Sequence, residues 1–270
     1  MMNKPKLICP LITPLDNTCE PSREFYKLLI SDLTEMGLTS IFPLGSTGLF
    51  SLLTMEKKRK FLKIVAEESQ SMEIFVGIGS QNTDESIEFA KYASDLGFVN
   101  MVLQPTYYIR PEQPWIIRHF SEVMGNVEAN FIVYNIPQLT GVTIEPETIK
   151  TIIENSSGRI KGIKESSGDL RYFNNIMLEF GSTIPVYQGQ DDLLLQSLIV
   201  GSDGGVCGST NISKGYVNVT QNTFINMNIR TQNSGTGTII AASIVVSLIA
   251  ILFVSYYYTR FSAKNKNSSK

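Results

Sequence analysis

The chain has very few of the side chains that carry metal or acid-base chemistry. Its 270 residues include one histidine and three cysteines, and no cysteine stands in a CxxC pair. Cys9, Cys19 and Cys207 cannot all pair with one another, so the sequence indicates neither a disulfide framework nor a zinc site. The histidine, His119, lies in a segment with helical periodicity, and we interpret it as a surface or packing residue. Any acid-base chemistry must therefore use other groups.

A strong charge of one sign is also missing. The 23 basic residues nearly balance the 25 acidic ones, and the longest basic run in the first 200 residues is KKRK at 57–60. Phosphate binding needs a clustered positive surface, so the sequence predicts no nucleic-acid partner. With 43% hydrophobic residues, the chain can form one large domain or two modest ones.

Eight apolar runs recur before residue 210, with helix-like stretches between them. Strands without polar alternation, separated by amphipathic helices, are typical of a parallel sheet covered by helices. Their number favours a closed (β/α)8 barrel over an open doubly wound sheet. The first helix is predicted to have an apolar face formed by Phe25, Leu28, Leu29, Leu33 and Met36. The eight runs are KLICPLI, LTSIFPLG, EIFVGIG, VNMVLQ, NFIVYNI, IKGIKES, PVYQGQ and DGGVCGS.

One of these runs contains two lysines three residues apart. Strand side chains alternate between faces, so Lys161 and Lys164 in IKGIKESSGDL must point opposite ways. If Ile163 and Glu165 face the helices, Lys164 faces the barrel interior near the C-terminal end of its strand, where barrel active sites lie. Loss of hydration there disfavours the ammonium form, so the amine can attack a carbonyl as a Schiff-base nucleophile. From this segment alone, a structural lysine paired with a carboxylate is the alternative.

Three further polar motifs follow predicted strands. YNIP closes the fifth strand with Tyr134, a phenol that can move a proton to or from a substrate oxygen. GSTG follows the second strand and offers hydroxyls and backbone N–H groups to a carboxylate. GQDD closes the seventh strand and offers carboxylates to sugar-like hydroxyls. Each motif alone is weak, because buried tyrosines usually belong to the core and acidic turns are usually solvated.

In this order the motifs resemble one family. From about Leu7 to Ser213, GSTG, YNIP, KESSGD, GQDD and GGVCGSTNIS resemble the dihydrodipicolinate synthase and N-acetylneuraminate lyase family of pyruvate-dependent class I aldolases. FPLGSTGLF, YNIPQLTG and GQDDLL are most similar to the archaeal 2-keto-3-deoxygluconate aldolases of that family. The resemblance implies that Lys164 forms the imine with pyruvate and that Tyr134 shuttles the proton, with no metal and no cofactor.

The resemblance also implies the remaining site residues. Tyr108 matches a tyrosine that completes a hydroxyl relay. Tyr107 is the alternative match, because a shift of the alignment by one residue puts it at the same position. Dihydrodipicolinate synthases have an arginine where this chain has Leu139, and an apolar side chain cannot form a bidentate pair with a carboxylate. Aspartate semialdehyde is therefore a poor candidate substrate. The implied substrate-binding residues are Ser46, Thr47, Gly189, Asp191, Asp192 and Ser209.

The implied reaction is the reversible cleavage of a 2-keto-3-deoxy sugar acid, of the gluconate or galactonate type. Its products are pyruvate and an aldehyde such as glyceraldehyde, and N-acetylneuraminate lyase activity is an alternative. The family resemblance further implies a homo-oligomer, with a tetramer as its typical form. Family members continue beyond the eighth strand with amphipathic helices, whereas this chain continues with a different kind of sequence.

The C-terminal part of the chain departs from that pattern. We predict the barrel over residues 1–214, without its last helix, and a linker rich in Asn and Thr over 215–238. Residues 239–258 carry no charge and match about 30 Å of hydrocarbon, so they predict a transmembrane helix, with a buried core helix as the alternative. A basic tail follows over 259–270 and by itself favours a cytoplasmic C-terminus, which would place the barrel outside. No signal peptide is recognisable, so we expect a cytoplasmic barrel with a C-terminal anchor.

Three interpretations of this ending remain open: a membrane-anchored aldolase, a tethered barrel that binds sugar acids without activity, and a fusion product that folds poorly. Loss of an outer helix exposes surface comparable to several buried side chains, at about 1.5–3 kcal/mol each. Total stability is only about 5–15 kcal/mol, so activity depends on whether the barrel folds.

Overall fold

Eight parallel strands form a closed barrel in the computed structural model of the protein, which describes residues 5–69, 71–213 and 217. The strands are β1 (Lys6–Pro10), β2 (Ser40–Phe42), β3 (Glu73–Gly77), β4 (Asn100–Leu103), β5 (Asn130–Asn135), β6 (Ile160–Glu165), β7 (Val186–Gln188) and β8 (Gly204–Val206). They follow one another around the barrel in chain order, and β8 pairs with β1. All eight predicted strands are present, and the (β/α)8 prediction is confirmed.

Helices connect the strands on the outside of the barrel. They are α1 (Arg23–Glu35), α2 (Met55–Glu68), α3 (Thr83–Asp95), α4 (Gln113–Asn126), α5 (Pro137–Thr140), α6 (Pro146–Asn155), α7 (Leu170–Phe180) and α8 (Leu194–Ile199). Short 3-10 helices at Asp191–Leu193 and Gly208–Asn211 follow β7 and β8. Parallel neighbours need such crossovers, because each strand must return to the same end of the sheet before the next begins.

Helix α1 lies where the sequence predicts it but buries a different face. Its buried side chains are Tyr26, Ile30 and Leu33, whereas Phe25 and Leu28 are exposed. Leu29 and Met36 of the predicted face are half-buried, so the prediction was wrong for Phe25 and Leu28. Two apolar stripes with helical spacing lie side by side on this helix, and only packing against the rest of the barrel selects between them.

The barrel interior is an apolar layer interrupted at one strand. Every strand except β6 contributes an apolar or aromatic side chain to it, and β6 contributes Lys164. A side chain on Gly162 would meet interior atoms of Ile132 and Tyr187 at 3.0 and 3.1 Å, so this glycine also faces inward. Lys161 is exposed, as the alternation of strand side chains predicts. The apolar members are Ile8, Phe42, Phe75, Val102, Ile132, Tyr134, Tyr187 and Val206.

The segment after β8 is described only in part. The structure includes the chain as far as Ser213 and, beyond it, Val217. The Val217 backbone N–H donates to the Ser213 carbonyl at 3.2 Å. Apart from Val217, the predicted linker (215–238), membrane helix (239–258) and basic tail (259–270) lie outside the described residues. None of the helices within the described ranges combines the length and hydropathy that a membrane crossing requires.

Candidate active site

Lys164 lies deep in the barrel, near the C-terminal end of β6. Its side chain is 4% exposed, and its Nζ lies 4.0 Å from the centroid of the Tyr134 ring and 4.7 Å from that of Phe42. It lines a cavity of about 10 Å³ together with apolar interior residues. Within the described part of the chain, no ion pair includes Lys164. The alternative interpretation, a structural lysine paired with a carboxylate, therefore finds no carboxylate among the described residues.

Two phenols flank Lys164 at the same register, one on each neighbouring strand. Tyr134 of β5 and Tyr187 of β7 are both opposite Lys164 in the parallel ladders. The Tyr134 hydroxyl lies 3.4 Å from the Ser46 hydroxyl, at the mouth of the barrel. Burial raises the pKa of Tyr187 to about 12, and the charge of Asp203, which precedes β8, adds to this effect. Tyr134 is thus the phenol that faces the C-terminal end.

The loop after β2 enters the mouth of the barrel through a strained residue. Leu44 is 1% exposed and has a φ of 58°, a left-handed conformation that leucine rarely adopts. A side chain on Gly77 would meet the Leu44 carbonyl oxygen at 2.2 Å, so only glycine fits at the end of β3. The loop then presents Ser46 to the cavity above Tyr134 and leaves Thr47 exposed.

A cavity of about 130 Å³ opens above Tyr134 at the C-terminal end of the barrel. Its walls come from the loops that follow β2, β4 and β5, which is where active sites of this architecture lie. Leu139 forms part of the wall, where it contributes an apolar side chain. The lining residues are Ser46, Phe50, Ser51, Gln104, Tyr107, Tyr134, Ile136, Leu139 and Thr140.

The two adjacent tyrosines after β4 occupy different environments. Tyr107 lines the cavity, and its ring packs edge-on against Phe50 with the centroids 5.7 Å apart. Burial raises the pKa of Tyr107, and the charge of Glu85 adds to that effect. Tyr108 is 90% exposed and has a φ of 79°. The structure therefore brings the alternative residue, Tyr107, into the cavity and leaves the predicted Tyr108 at the surface.

The acidic motif after β7 makes contacts that hold two loops together. The Asp191 carboxylate accepts backbone N–H groups from Gly208 at 2.8 Å and from Ser209 at 2.6 Å. These bonds join the loop after β7 to the loop after β8. Asp192 is exposed, and Gly189 is partly buried. The four residues predicted here thus lie together beside the barrel mouth, outside the wall of the 130 Å³ cavity.

Two polar residues of the barrel mouth were missed by the sequence analysis. Ser166 is 2% exposed, and its hydroxyl has no hydrogen-bond partner among the described residues. It follows Lys164 by two positions and so faces the same side, which was a usable signal. Gln104 is 5% exposed at the end of β4 and lines the cavity. A side chain on Gly79 would meet the Gln104 amide at 2.2 Å, so this glycine makes room for it.

A family model agrees with this architecture. The model described as the dihydrodipicolinate synthetase family matches residues 3–231 of the chain. The match extends past Ser213, where the motif resemblance ends, into the segment that the sequence analysis predicts to be a linker.

Individual proteins show the same similarity. An uncharacterized DapA-like lyase from Thermoplasma acidophilum is 42% identical over 79% of this chain and 73% of its own length. A 2-dehydro-3-deoxy-D-gluconate/2-dehydro-3-deoxy-phosphogluconate aldolase from Picrophilus torridus is 39% identical over 77% of each chain. The solved structure of 2-keto 3-deoxygluconate aldolase from Picrophilus torridus superimposes with a TM-score of 0.76 at 34% identity, over 87% of this chain and 89% of that one.

Proposed function

This chain belongs to the dihydrodipicolinate synthetase family, and on that premise we propose the reaction it catalyses and the residues that carry it. Membership makes it an enzyme, a lyase of the pyruvate-dependent aldolase class. The proposed reaction is the reversible cleavage of a 2-keto-3-deoxy sugar acid to pyruvate and an aldehyde. The observation that carries the proposal is the buried Lys164 amine, which lies 4.0 Å from the ring centroid of Tyr134, a residue that lines the 130 Å³ cavity.

The proposed chemistry begins at Lys164. Its free amine adds to the C2 carbonyl of the sugar acid, and loss of water gives a protonated imine. The imine withdraws electrons from C3, so the C3–C4 bond can break once the C4 hydroxyl loses its proton. The bond electrons form an enamine, and the aldehyde departs. Protonation of C3 and addition of water to the imine then release pyruvate and restore the amine.

Tyr134 is the proposed proton carrier. Its hydroxyl is the phenolic group at the cavity floor, and the Ser46 hydroxyl 3.4 Å away can pass the proton on toward the cavity. Tyr107, which lines the same cavity, is a candidate for the next hydroxyl of the relay. Tyr108 stays a predicted relay residue.

The carboxylate and hydroxyl contacts of the substrate are also proposed. Ser46 faces the cavity, where its hydroxyl and the neighbouring backbone N–H groups can bind the carboxylate next to the keto group, with Thr47 assigned to the same role. The residues proposed to bind the hydroxyls of the sugar chain are Gly189, Asp191, Asp192 and Ser209.

The substrate assignment rests on one residue and on the names of the similar aldolases. Leu139 in the cavity wall offers no cation for a second carboxylate, which disfavours aspartate semialdehyde. The relative and the solved structure from Picrophilus torridus are both named for gluconate-type substrates. We therefore propose a 2-keto-3-deoxygluconate or galactonate substrate. The homo-oligomer, the cytoplasmic location and the membrane anchor over 239–258 stay predictions.

Trapping with pyruvate and borohydride tests this proposal. Reduction of a pyruvate imine leaves a covalent adduct, which intact-mass and peptide mass spectrometry locate. We expect the adduct on Lys164 in the wild type, and we expect Lys164→Ala to lose it together with all cleavage activity. Lys161→Ala is the matched control, because Lys161 lies three residues earlier on β6 and is exposed. An adduct that survives in Lys164→Ala, or no adduct on the wild type, would overturn the Schiff-base assignment.

A further inference from the structure

A second pair of buried polar side chains lies directly behind the Lys164–Tyr134 pair. In the ladder of β5 and β6, Tyr134 is opposite Lys164, and Asn135 is opposite Glu165. Since strand side chains alternate, the first pair faces the barrel interior and the second faces the helices. Asn135 and Glu165 are both 0% exposed. The outer pair thus sits one residue along from the reacting amine on the same two strands.

Hydrogen bonds join this outer pair to its surroundings. The Glu165 Oε1 accepts from the Asn135 side-chain amide at 3.1 Å and from the Ser167 backbone N–H at 2.6 Å. The Asn135 Oδ1 accepts from the Ile144 backbone N–H at 3.0 Å. The Tyr172 hydroxyl of α7 donates to the Ile144 carbonyl. The buried carboxyl of Glu165 on β6 therefore connects β5 to the loop that follows β6.

Among the described residues, the buried carboxyl of Glu165 has no cation as a partner. None of the ion pairs in the described ranges includes it, and its Oε2 has no hydrogen-bond partner there. The ionisable groups that face it are Tyr172 and Asp169, and neither supplies a positive charge. Burial raises the pKa of Glu165 above its ordinary value. A neutral acid needs no counter-charge in this site, whereas a carboxylate would be costly.

We infer that Glu165 and Asn135 are positioning residues that set the distance between the Lys164 amine and the Tyr134 hydroxyl. The inference rests on the proposed function, since it assigns the pair to the Schiff-base reaction. The two strands carry the outer and inner pairs on adjacent residues, so a shift of β5 against β6 that breaks one pair misaligns the other. Backbone hydrogen bonds also hold Asn135 and Glu165 in place. The Ser166 N–H donates to the Asn135 carbonyl at 2.9 Å, and the Gly189 N–H donates to the Glu165 carbonyl at 2.7 Å.

This inference makes a prediction about two substitutions at one position. Glu165→Gln keeps an acceptor oxygen for both hydrogen bonds and needs no charge, so we expect near wild-type cleavage. Glu165→Ala removes the acceptor, and misplacement of catalytic groups by about 1 Å can cost on the order of 100-fold in rate. We expect Glu165→Ala to lower kcat by about 10- to 100-fold with a much smaller change in KM. The rate of borohydride trapping with pyruvate should fall in parallel.

Controls separate positioning from general destabilisation. Tyr26→Phe removes another buried hydrogen bond, between the Tyr26 and Ser69 hydroxyls, far from the cavity. It should lose stability in urea without loss of kcat. If Glu165→Ala does not fold, Glu165→Met fills a similar volume without an acceptor and takes its place under the same criteria.

The outcomes distinguish this inference from the proposed function. A wild type that forms no adduct removes the aldolase assignment itself. A wild type that traps normally, together with Glu165→Ala or Glu165→Met at wild-type kcat, overturns only the positioning role. Glu165→Gln as slow as Glu165→Ala, or a loss of kcat in Tyr26→Phe that matches its loss of stability, also overturns it.

Discussion

At the scale of single residues, two buried phenols share the register of Lys164 and differ in where their hydroxyls lie. The Tyr134 hydroxyl lies beside Ser46 at the cavity, and Tyr187 lies within the electrostatic reach of Asp203 at the other end of the barrel. Both rings fill the interior, so their shape contributes to packing in the same way. Of these two residues, Tyr134 lines the 130 Å³ cavity and Tyr187 does not.

We therefore expect Tyr134→Phe to lower kcat by about 100- to 10,000-fold, because the proposed proton carrier is lost while the ring remains. Pyruvate trapping on Lys164 should still be detectable in this variant, since the amine is unchanged. Steady-state kinetics with a 2-keto-3-deoxy sugar acid, together with borohydride trapping, measure the two effects.

Tyr187→Phe is the matched comparison for this prediction. It removes a phenolic oxygen from the same register on the opposite neighbour of β6, and we expect little change in kcat. A Tyr134→Phe enzyme as active as Tyr187→Phe would assign proton transfer to another group.

At the scale of elements, the end of β3 shapes the loop that carries Ser46. Leu44 adopts its left-handed backbone conformation against Gly77, where a Cβ would lie 2.2 Å from the Leu44 oxygen. Neither residue belongs to the GSTG motif, yet both decide the path by which the motif enters the cavity. Strain of this kind persists where the surrounding structure enforces it, and it is common at functional sites.

Gly77→Ala should therefore destabilise the protein by about 1–3 kcal/mol, because the added methyl group overpacks a backbone contact. Displacement of the Leu44 carbonyl should also raise KM for the keto acid. Urea denaturation and steady-state kinetics measure these changes.

A second glycine supplies the control for this substitution. Gly125 lies near the end of α4, and a Cβ there would meet nothing within 4 Å. Gly125→Ala should leave KM unchanged and stabilise the helix by up to about 1 kcal/mol. Equal stability and equal KM in the two variants would contradict the role assigned to Gly77.

At the scale of the whole molecule, one buried histidine links stability to pH. His119 is 3% exposed on α4, and its Nδ1 lies 2.9 Å from the hydroxyl of Thr83, the first residue of α3. Burial lowers the pKa of His119 to about 4. The predicted packing role of His119 agrees with this placement between two helices.

The sign of the effect follows from the two protonation states. Below its ordinary pKa of about 6.5, His119 gains a proton in the unfolded chain but not in the barrel, so stability falls as pH drops from 6.5 toward 4. We expect His119 to contribute about 2 kcal/mol to the stability difference between pH 7 and pH 5. His119→Gln, which cannot titrate, should reduce that difference in urea unfolding. An unchanged pH dependence in this variant would mean that His119 is accessible to protons in the folded state.

Much of the fold could be predicted from the sequence. Eight apolar runs with helical stretches between them gave the strand order of the closed barrel, because a parallel strand buried on both faces needs an uninterrupted apolar run. The alternation of strand side chains placed Lys164 inside and Lys161 outside. The order of the motifs predicted the family, which the family model confirmed over residues 3–231.

Other features were decided only when distant parts of the chain came together. The sequence could not show that α1 buries the stripe with Tyr26, that Tyr107 and not Tyr108 lines the cavity, or that Glu165 bonds to Asn135. Periodicity records the spacing of side chains along one element. Which face of that element is buried, and which loop side chain reaches a cavity, depends on contacts between residues far apart in sequence, and only the folded barrel specifies these contacts.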